Sequence, residues 1–572
     1  MNFIKSSLLL MLCGFTVAGQ AQKKAAPTYS TNKLIIDRGD ALFQKNCAEC
    51  HNFRQRGIGP VLSGVTADAS YTYLSKFIVN SQAVIKSGNK RAVALFAEYK
   101  IPMPAHPQLK PAEINALLSF INTHKKAAEV YVNTAELGAP VKDPIPTKIA
   151  KAGLTLKLEE WATAPATSTK KPLTRINQTY VLKTPTGNRL FMLDLRGKLY
   201  EIKDKQFNVV MDMAKEKPKF IHEPGLASGW GTFVFHPDFL KNGLLYTTHT
   251  EKKGSAPADF AYADSIPVAL QWVVTEWKVK DPAAAVFEAT PREMIRMDNP
   301  SAMHGMQQMI FDPTLKPGMP GYGLLYLDFG DGGSGELGYP WLCNGSTEPR
   351  GSILRIDPMG RNSRNGKYGI PASNPRAKTG DPTVLGEVYA RGFRNPNKIT
   401  RAPDGKVIVS EIGYTNVEEL NILKPGLNYG WPTREGTFVS VLAGKKSAIY
   451  NLPAHDDPKY TYPVAQYDHD EGNSVAGGFV YTGDIAALKG KYIFGDIVKG
   501  RVFYVELADL KLGQQAVIKE FDLQFGDLKT TYPQLVKNPK TDMRFGLGEN
   551  NAFYIWAKTD GKIWQIKDCV TN

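Results

Sequence analysis

From about residue 151 onward, apolar residues come in short runs of strand length bounded by glycine, asparagine and proline, and the runs recur in pairs. The pairs are 189–193 with 198–202, 244–248 with 272–279, 324–329 with 353–356, 407–412 with 420–423, 492–497 with 502–507, and 552–556 with 563–566. Hairpins this short cannot bury a core alone. Radial packing of similar sheets covers both their faces and their edges. The pattern therefore predicts an all-β six-bladed propeller over 151–568, with a series of β-sandwiches as the alternative. The 51 glycines and 38 prolines supply the turns this needs, and 572 residues are too many for one ordinary core. Hydrophobic content of 42% with 22% charge excludes disorder over most of the chain.

Residues 32–126 have a different rhythm, that of a small all-α unit. Gly39 and Phe43 lie four apart, as on one helix face. Pro111 followed by Ile114, Leu117, Leu118 and Ile121 is a proline-started amphipathic helix. Between them, Cys47, Cys50 and His51 form C-x-x-C-H, the spacing that attaches a haem through two thioethers and ligates its iron through the imidazole. Prolines 140, 144 and 146 mark 127–150 as a linker.

The first 22 residues read as a cleaved secretory signal peptide: a basic start, an apolar run too short to span a bilayer, and small residues after it. A lipoprotein signal ending at Cys13 is the alternative. The protein is then expected in the periplasm or secreted, where Cys343 and Cys569 could pair, although sequence cannot bring them together. No later stretch is long and apolar enough for a transmembrane span. The net charge of +15 is spread along the chain, so nucleic acid is not indicated.

The haem unit resembles class I cytochromes c. In these a methionine before the last helix is the second axial ligand, which points to Met103 between Pro102 and Pro104, with His106 as rival. The later region resembles the soluble PQQ-dependent glucose and sorbosone dehydrogenases. The matching stretches are 231–239 (GTFVFHPDF), 325–335 (LYLDFGDGGSG), 351–358 (GSILRIDP), 368–375 (YGIPASNP), 392–396 (GFRNP), 428–432 (NYGWP) and 469–481 running into KGKYIFGD, in family order.

That resemblance implies PQQ and Ca²⁺ over one mouth of the propeller. It makes His304 the base that takes a sugar hydroxyl's proton and Arg394, beside Asn395, the cation for charge developing on the quinone. Gly413 and Tyr414 become backbone ligands of calcium, and Arg544 a clamp on the cofactor's carboxylates. Histidines 222, 236, 249, 455 and 469 are assigned structural or surface roles. Three positions depart from the family: Ala227 stands for a substrate-contacting glutamine, Met303 for an aspartate, and Thr482 for a basic residue that grips the cofactor. The expectation is an exported quinohaemoprotein dehydrogenase that oxidises a sugar or other alcohol and passes electrons through haem c to a downstream acceptor. The alternatives are a non-catalytic carbohydrate- or protein-binding propeller fused to an electron-transfer cytochrome, and an oxidoreductase with another organic cofactor.

Overall fold

The computed structural model describes residues 29–48, 50, 51, 53, 58–124, 134–262, 266–345, 347–442 and 447–572. The expected leader with Cys13, and the start of the linker, lie outside the described residues. Among the described residues no helix is long and apolar enough to cross a membrane.

The N-terminal unit is helical, as its periodicity predicts. Helix Lys33–Asn46 starts where the Asn32 side chain accepts the Leu34 N–H at 2.9 Å. Helix Pro111–Thr123 starts on its proline, with Glu113 accepting the Lys110 N–H. The two helices meet through Gly39 and Phe43 on one side and Ile114, Leu117, Leu118 and Ile121 on the other. Leu117 and Leu118 are fully buried, and each such side chain contributes about 1.5–3 kcal/mol. The helices cross at Gly39 because a Cβ there would lie 2.1 Å from the Ala116 carbonyl oxygen.

Beyond the linker, each pair of runs seen in the sequence forms the middle two strands of a four-stranded sheet. The first sheet is Ile176–Thr184, Gly187–Asp194, Lys198–Lys203 and Gln206–Asp212. Next come Trp230–Phe235, Leu244–Lys252, Leu270–Val279 and Ala289–Asn299. The third is Met309–Phe311, Leu325–Phe329, Ser352–Ile356 and Val388–Arg391. The fourth is Pro396–Arg401, Val407–Glu411, Val417–Ile422 and Ala465–Asp468. The fifth is Val475–Val480, Lys491–Asp496, Val502–Glu506 and Lys519–Phe525. In the last, Met543–Leu547, Phe553–Ala557 and Lys562–Thr571 are completed by Ala150–Thr163 from the beginning of the domain, antiparallel to the C-terminal strand. That strand also pairs in parallel with Lys519–Phe525, so the fifth and last sheets are continuous.

The first strands of the sheets lie against one another: Trp230–Phe235 touches Ile176–Thr184 and Met309–Phe311, Pro396–Arg401 touches Val475–Val480, and Met543–Leu547 touches both Val475–Val480 and Ile176–Thr184. Glycine permits this approach at Gly231, where a Cβ would lie 2.2 Å from the Met306 carbonyl, and at Gly546, where it would meet Thr179 Oγ1 at 2.2 Å. The described end of the linker packs on the β domain. Val141 and Ile145 pack beside Val417, Phe438 and Ile449, and the Val141 N–H donates to the Ile449 carbonyl at 2.8 Å.

Replacing Gly39 by valine should lower the stability of the helical unit by about 1–3 kcal/mol through overpacking against Ala116. Thermal unfolding followed at the haem band reads this, and an unchanged midpoint would show that the helices do not cross there.

Candidate active site

His304 sits in the connection between Ala289–Asn299 and Met309–Phe311. Asn299 Nδ2 shapes this turn by donating to the carbonyls of Ser301 and Met303 at 2.8 and 3.2 Å. His304 is held at φ 48°, a left-handed conformation unusual for histidine and of a kind that persists where surroundings enforce it. Its Nδ1–H donates to Asp331 Oδ1 at 2.6 Å, which leaves Nε2 with a free lone pair 4.0 Å from Glu336 Oε1.

Asp331 belongs to the loop after Leu325–Phe329 and is wholly buried. It also accepts from Trp431 Nε1 at 2.9 Å and from the N–H groups of Gly333 and Gly335 at 2.7 and 3.3 Å. Burial works to raise its pKa, but His304, Arg394 and these donors outweigh it and hold the carboxyl below the usual carboxylate range. His304 is lowered by burial first and by Arg394 next, against the raising influence of Asp331, so it is a neutral imidazole at pH 7. An oriented neutral imidazole with one nitrogen open is a proton acceptor.

Arg394 and Asn395 stand just before Pro396–Arg401, and both their N–H groups donate to Glu411 Oε1. The Arg394 guanidinium pairs with Glu336 and donates through Nη1 to the carbonyls of Gly413 and Ile412 at 2.6 and 3.2 Å. It lies over the rings of Tyr414 and Trp431, 5.3 and 5.8 Å from their centroids. The Arg394 carbonyl accepts the Asp331 N–H at 2.7 Å. His304, Arg394, Gly413 and Tyr414, far apart in sequence, thus converge on one site.

The Gly413–Tyr414 turn is tied down by Glu435 Oε1, which accepts the N–H groups of Tyr414, Thr415, Asn416 and Val417. Since the Gly413 carbonyl is committed to Arg394, a guanidinium stands where a calcium ion is expected. Among the described residues no group of three or more His, Cys, Asp or Glu side chains is placed to hold a metal.

The sheets' first strands begin at the same end of the domain. Arg175, just before Ile176–Thr184, donates to the carbonyls of His222, Leu226 and Ser228 at 2.7–3.0 Å. Arg544, at the start of Met543–Leu547, donates through Nε to Asn177 Oδ1 at 3.2 Å. Lys558, at the end of the neighbouring strand Phe553–Ala557, is only 7% exposed, and its ammonium has no hydrogen-bond acceptor among the described residues. Burial, with Arg544 and Arg175 nearby, depresses the Lys558 pKa well below the usual lysine value, against the pull of Asp542 and Asp194. Burial likewise lowers Arg544 to about 10. Three crowded basic side chains, whose mutual repulsion an anion would relieve, fit the carboxylates of an anionic cofactor. Sequence reading found Arg544 but neither Arg175 nor Lys558, which no motif marks, and it missed the partners Asp331, Glu336 and Trp431, although Asp331 and Trp431 lie inside quoted motifs.

In the helical unit Cys47 caps helix Lys33–Asn46, and the N–H groups of Cys50 and His51 both donate to its carbonyl. His51 is half-buried, and its Nδ1–H donates to the Pro60 carbonyl at 2.9 Å, which leaves Nε2 for iron. A Cβ at Gly59 would lie 2.4 Å from His51 Cε1, so glycine is required beside the ring. Met103 packs against the core that contains Cys47, and its carbonyl accepts the Ser81 hydroxyl. These residues fit a covalent haem. Cys343 packs with Tyr414 and Trp431, whereas Cys569 belongs to the core of the last sheet; both are free thiols.

The two units also touch. Lys100, three residues before Met103, pairs with Asp470, and Lys148 lies 3.5 Å from the same carboxylate. The neighbouring His469 Nε2 lies 2.9 Å from Glu418 Oε1, and Glu418 Oε2 accepts the Gly413 N–H at 3.3 Å.

Residues 183–530 match the family model Glucose / Sorbosone dehydrogenase and residues 36–125 match Cytochrome c. The chain belongs to the glucose/sorbosone dehydrogenase family and carries a cytochrome c domain ahead of it. It is 26% identical over 363 residues to the HIPL2 protein of Arabidopsis thaliana, covering 55% of this chain and 50% of that protein. It is 23% identical over 279 residues to quinoprotein glucose dehydrogenase B of Acinetobacter calcoaceticus, covering 46% and 52%. The chain thus spans about half the length of the curated relatives it matches. Among solved structures, the PQQ-bound form of aldose sugar dehydrogenase from Streptomyces coelicolor is 18% identical with a TM-score of 0.47, covering 72% of this chain and 97% of that one.

Replacing Asp331 by asparagine removes the one influence that raises the His304 pKa together with its charge, so His304 should titrate at still lower pH. NMR of the imidazole in folded protein measures this, and an upward shift would contradict the dyad. Because the His304 pKa is depressed on folding, its contribution to stability is complete above about pH 6.5 and is lost as pH falls.

Proposed function

We propose that the β domain is a six-bladed propeller that oxidises an aldose or related alcohol, and that the haem domain carries the electrons away. The propeller reading is supported by the succession of four-stranded sheets whose first strands adjoin, and by the strand Ala150–Thr163 that closes the last sheet. The observation that carries the enzymatic reading is the convergence of an Asp331-oriented neutral His304 with Arg394.

His304 Nε2 accepts the proton of the substrate hydroxyl while Asp331 holds Nδ1–H and stabilises the imidazolium that forms. Arg394 faces the negative charge that develops on the oxygen opposite, and Glu336 positions it. Arg175, Arg544 and Lys558 would hold the carboxylates of PQQ, with Lys558 supplying a basic group that Thr482 does not. Bound PQQ supplies a two-electron acceptor, and haem held by Cys47, Cys50, His51 and Met103 a one-electron carrier. The Lys100–Asp470 contact keeps the Met103 side of the haem domain on the loop that leads through His469 and Glu418 to Gly413. A pair this exposed contributes about 0–1 kcal/mol, so it orients the domains more than it binds them. Export to the periplasm and an outside acceptor complete the reading.

A second reading, a non-catalytic carbohydrate- or protein-binding domain beside an electron-transfer cytochrome, is favoured by Ala227, Met303 and Thr482, where the family's substrate- and cofactor-contacting residues are absent.

The test is to load the haem-containing protein with PQQ, add a panel of aldoses and alcohols, and follow haem absorption. Reduction should require PQQ and disappear in His304→Ala; no reduction together with no PQQ binding would leave the second reading. PQQ titration of Lys558→Gln should show affinity weakened at least tenfold, the equivalent of about 1.4 kcal/mol for one charge-assisted contact. Unchanged affinity would remove Lys558 from the cofactor site.

A further inference from the structure

A cleft of about 500 Å³ has no part in the reading above. Its walls include Trp341, Asn344, Arg391, Asn428, Pro432 and Tyr460. Trp341, on the short turn Pro340–Leu342, leaves 63% of its surface in water although it is the largest apolar side chain there. Its ring contact with Tyr339 is perpendicular, at 5.5 Å and 80°, and covers at most one face of the indole. An indole face kept open at the rim of a cleft is a stacking platform.

The polar groups of the cleft are incomplete in a complementary way. Asn344 Oδ1 is a buried acceptor and Arg391 Nε a buried donor, and neither has a partner among the described residues. Among the described residues the Arg391 guanidinium donates from Nη1 to the Asn344 carbonyl at a long 3.4 Å. Buried polar groups are rarely left unpaired without reason. Lys459 at the cleft is already paired with Asp457 at 2.5 Å. An open aromatic face beside one free acceptor and one free donor suits a neutral sugar ring, whose C–H face stacks while its hydroxyls both donate and accept.

The same three segments build the cleft and the His304 site. Arg391 precedes Arg394 by three residues, Pro432 follows the Trp431 that donates to Asp331, and the Trp341 turn follows Glu336. The Trp431 N–H donates to the Gly392 carbonyl and the Tyr429 N–H to that of Arg391, so the wall between the two is braced.

We infer that the Trp341 cleft binds a neutral saccharide unit, and that the substrate is an oligosaccharide whose reacting residue lies at His304 while a further residue stacks on Trp341. The second half rests on the dehydrogenase reading; the first does not.

The probes are cellotriose, maltotriose and xylotriose, with glucose and xylose as controls, titrated into the haem-loaded full chain without PQQ by calorimetry and tryptophan fluorescence. At least one trisaccharide should bind and quench fluorescence. In Trp341→Ala its affinity should fall at least tenfold with the haem spectrum and melting temperature unchanged, whereas Trp341→Phe should retain part of it and His304→Ala all of it. With PQQ present, Trp341→Ala should raise KM for that trisaccharide at least tenfold and leave KM for the monosaccharide and kcat unchanged. No trisaccharide binding to the parent protein, or equal binding by Trp341→Ala, would overturn the inference. Trisaccharide binding that depends on Trp341 without any sugar oxidation would support the cleft and fail the dehydrogenase reading.

Discussion

Asp331 is a carboxylate with no water around it, and the centre of the β domain is arranged to satisfy it. An unpaired charge so placed would cost several kcal/mol. It receives the His304 Nδ1–H, the Trp431 indole N–H and two glycine amides, while its own amide donates to the Arg394 carbonyl. Each partner is thereby fixed: the tautomer of His304, the plane of Trp431 under the Arg394 guanidinium, and the start of the strand that follows Arg394. The left-handed backbone of His304 is held by the same bonds.

Charge at this end of the domain is divided. Glu411, Glu418, Glu419 and Glu435 lie buried around Gly413 and Arg394, and burial raises Glu419 to about 7 and Glu411 well above the usual carboxylate range. Arg175, Arg544 and Lys558 gather on the other side, where burial and mutual repulsion depress the lysine. Crowding three basic side chains in a buried place is costly in an isolated fold, and an anion set among them would relieve that cost. The acidic side is also where the helical domain attaches, through Lys100 to Asp470, with Lys148 of the linker beside the same carboxylate.

Much of this was legible in the sequence where chemistry depends on local spacing. Cys47, Cys50 and His51 need only the first turn after a helix, and the Pro111 helix declares itself by its apolar stripe. The middle strands of each sheet were legible as unbroken apolar runs, because those strands are buried on both faces. Outer strands such as Ala289–Asn299 were not, since Arg292, Glu293 and Arg296 interrupt the run and find partners only in the fold. His304 and Arg394 could be placed by resemblance. Glu336, Lys558 and Arg175 could not, because their importance comes from burial and mutual proximity, which no spacing encodes. The Arg394 bond to the Gly413 carbonyl was likewise not legible, because it joins residues 19 apart through the fold. The paired Cys343 and Cys569 considered from composition alone lie in separate cores.

The most direct measurement is a single turnover of the PQQ-loaded protein with an aldose carrying deuterium at the carbon whose hydroxyl is oxidised, with haem reduction as the clock. If His304 draws the proton while that C–H bond breaks, and the haem is reached only afterwards, deuterium should slow haem reduction and His304→Ala should stop it. Haem reduction at the same rate with either isotope, persisting in His304→Ala, would contradict it.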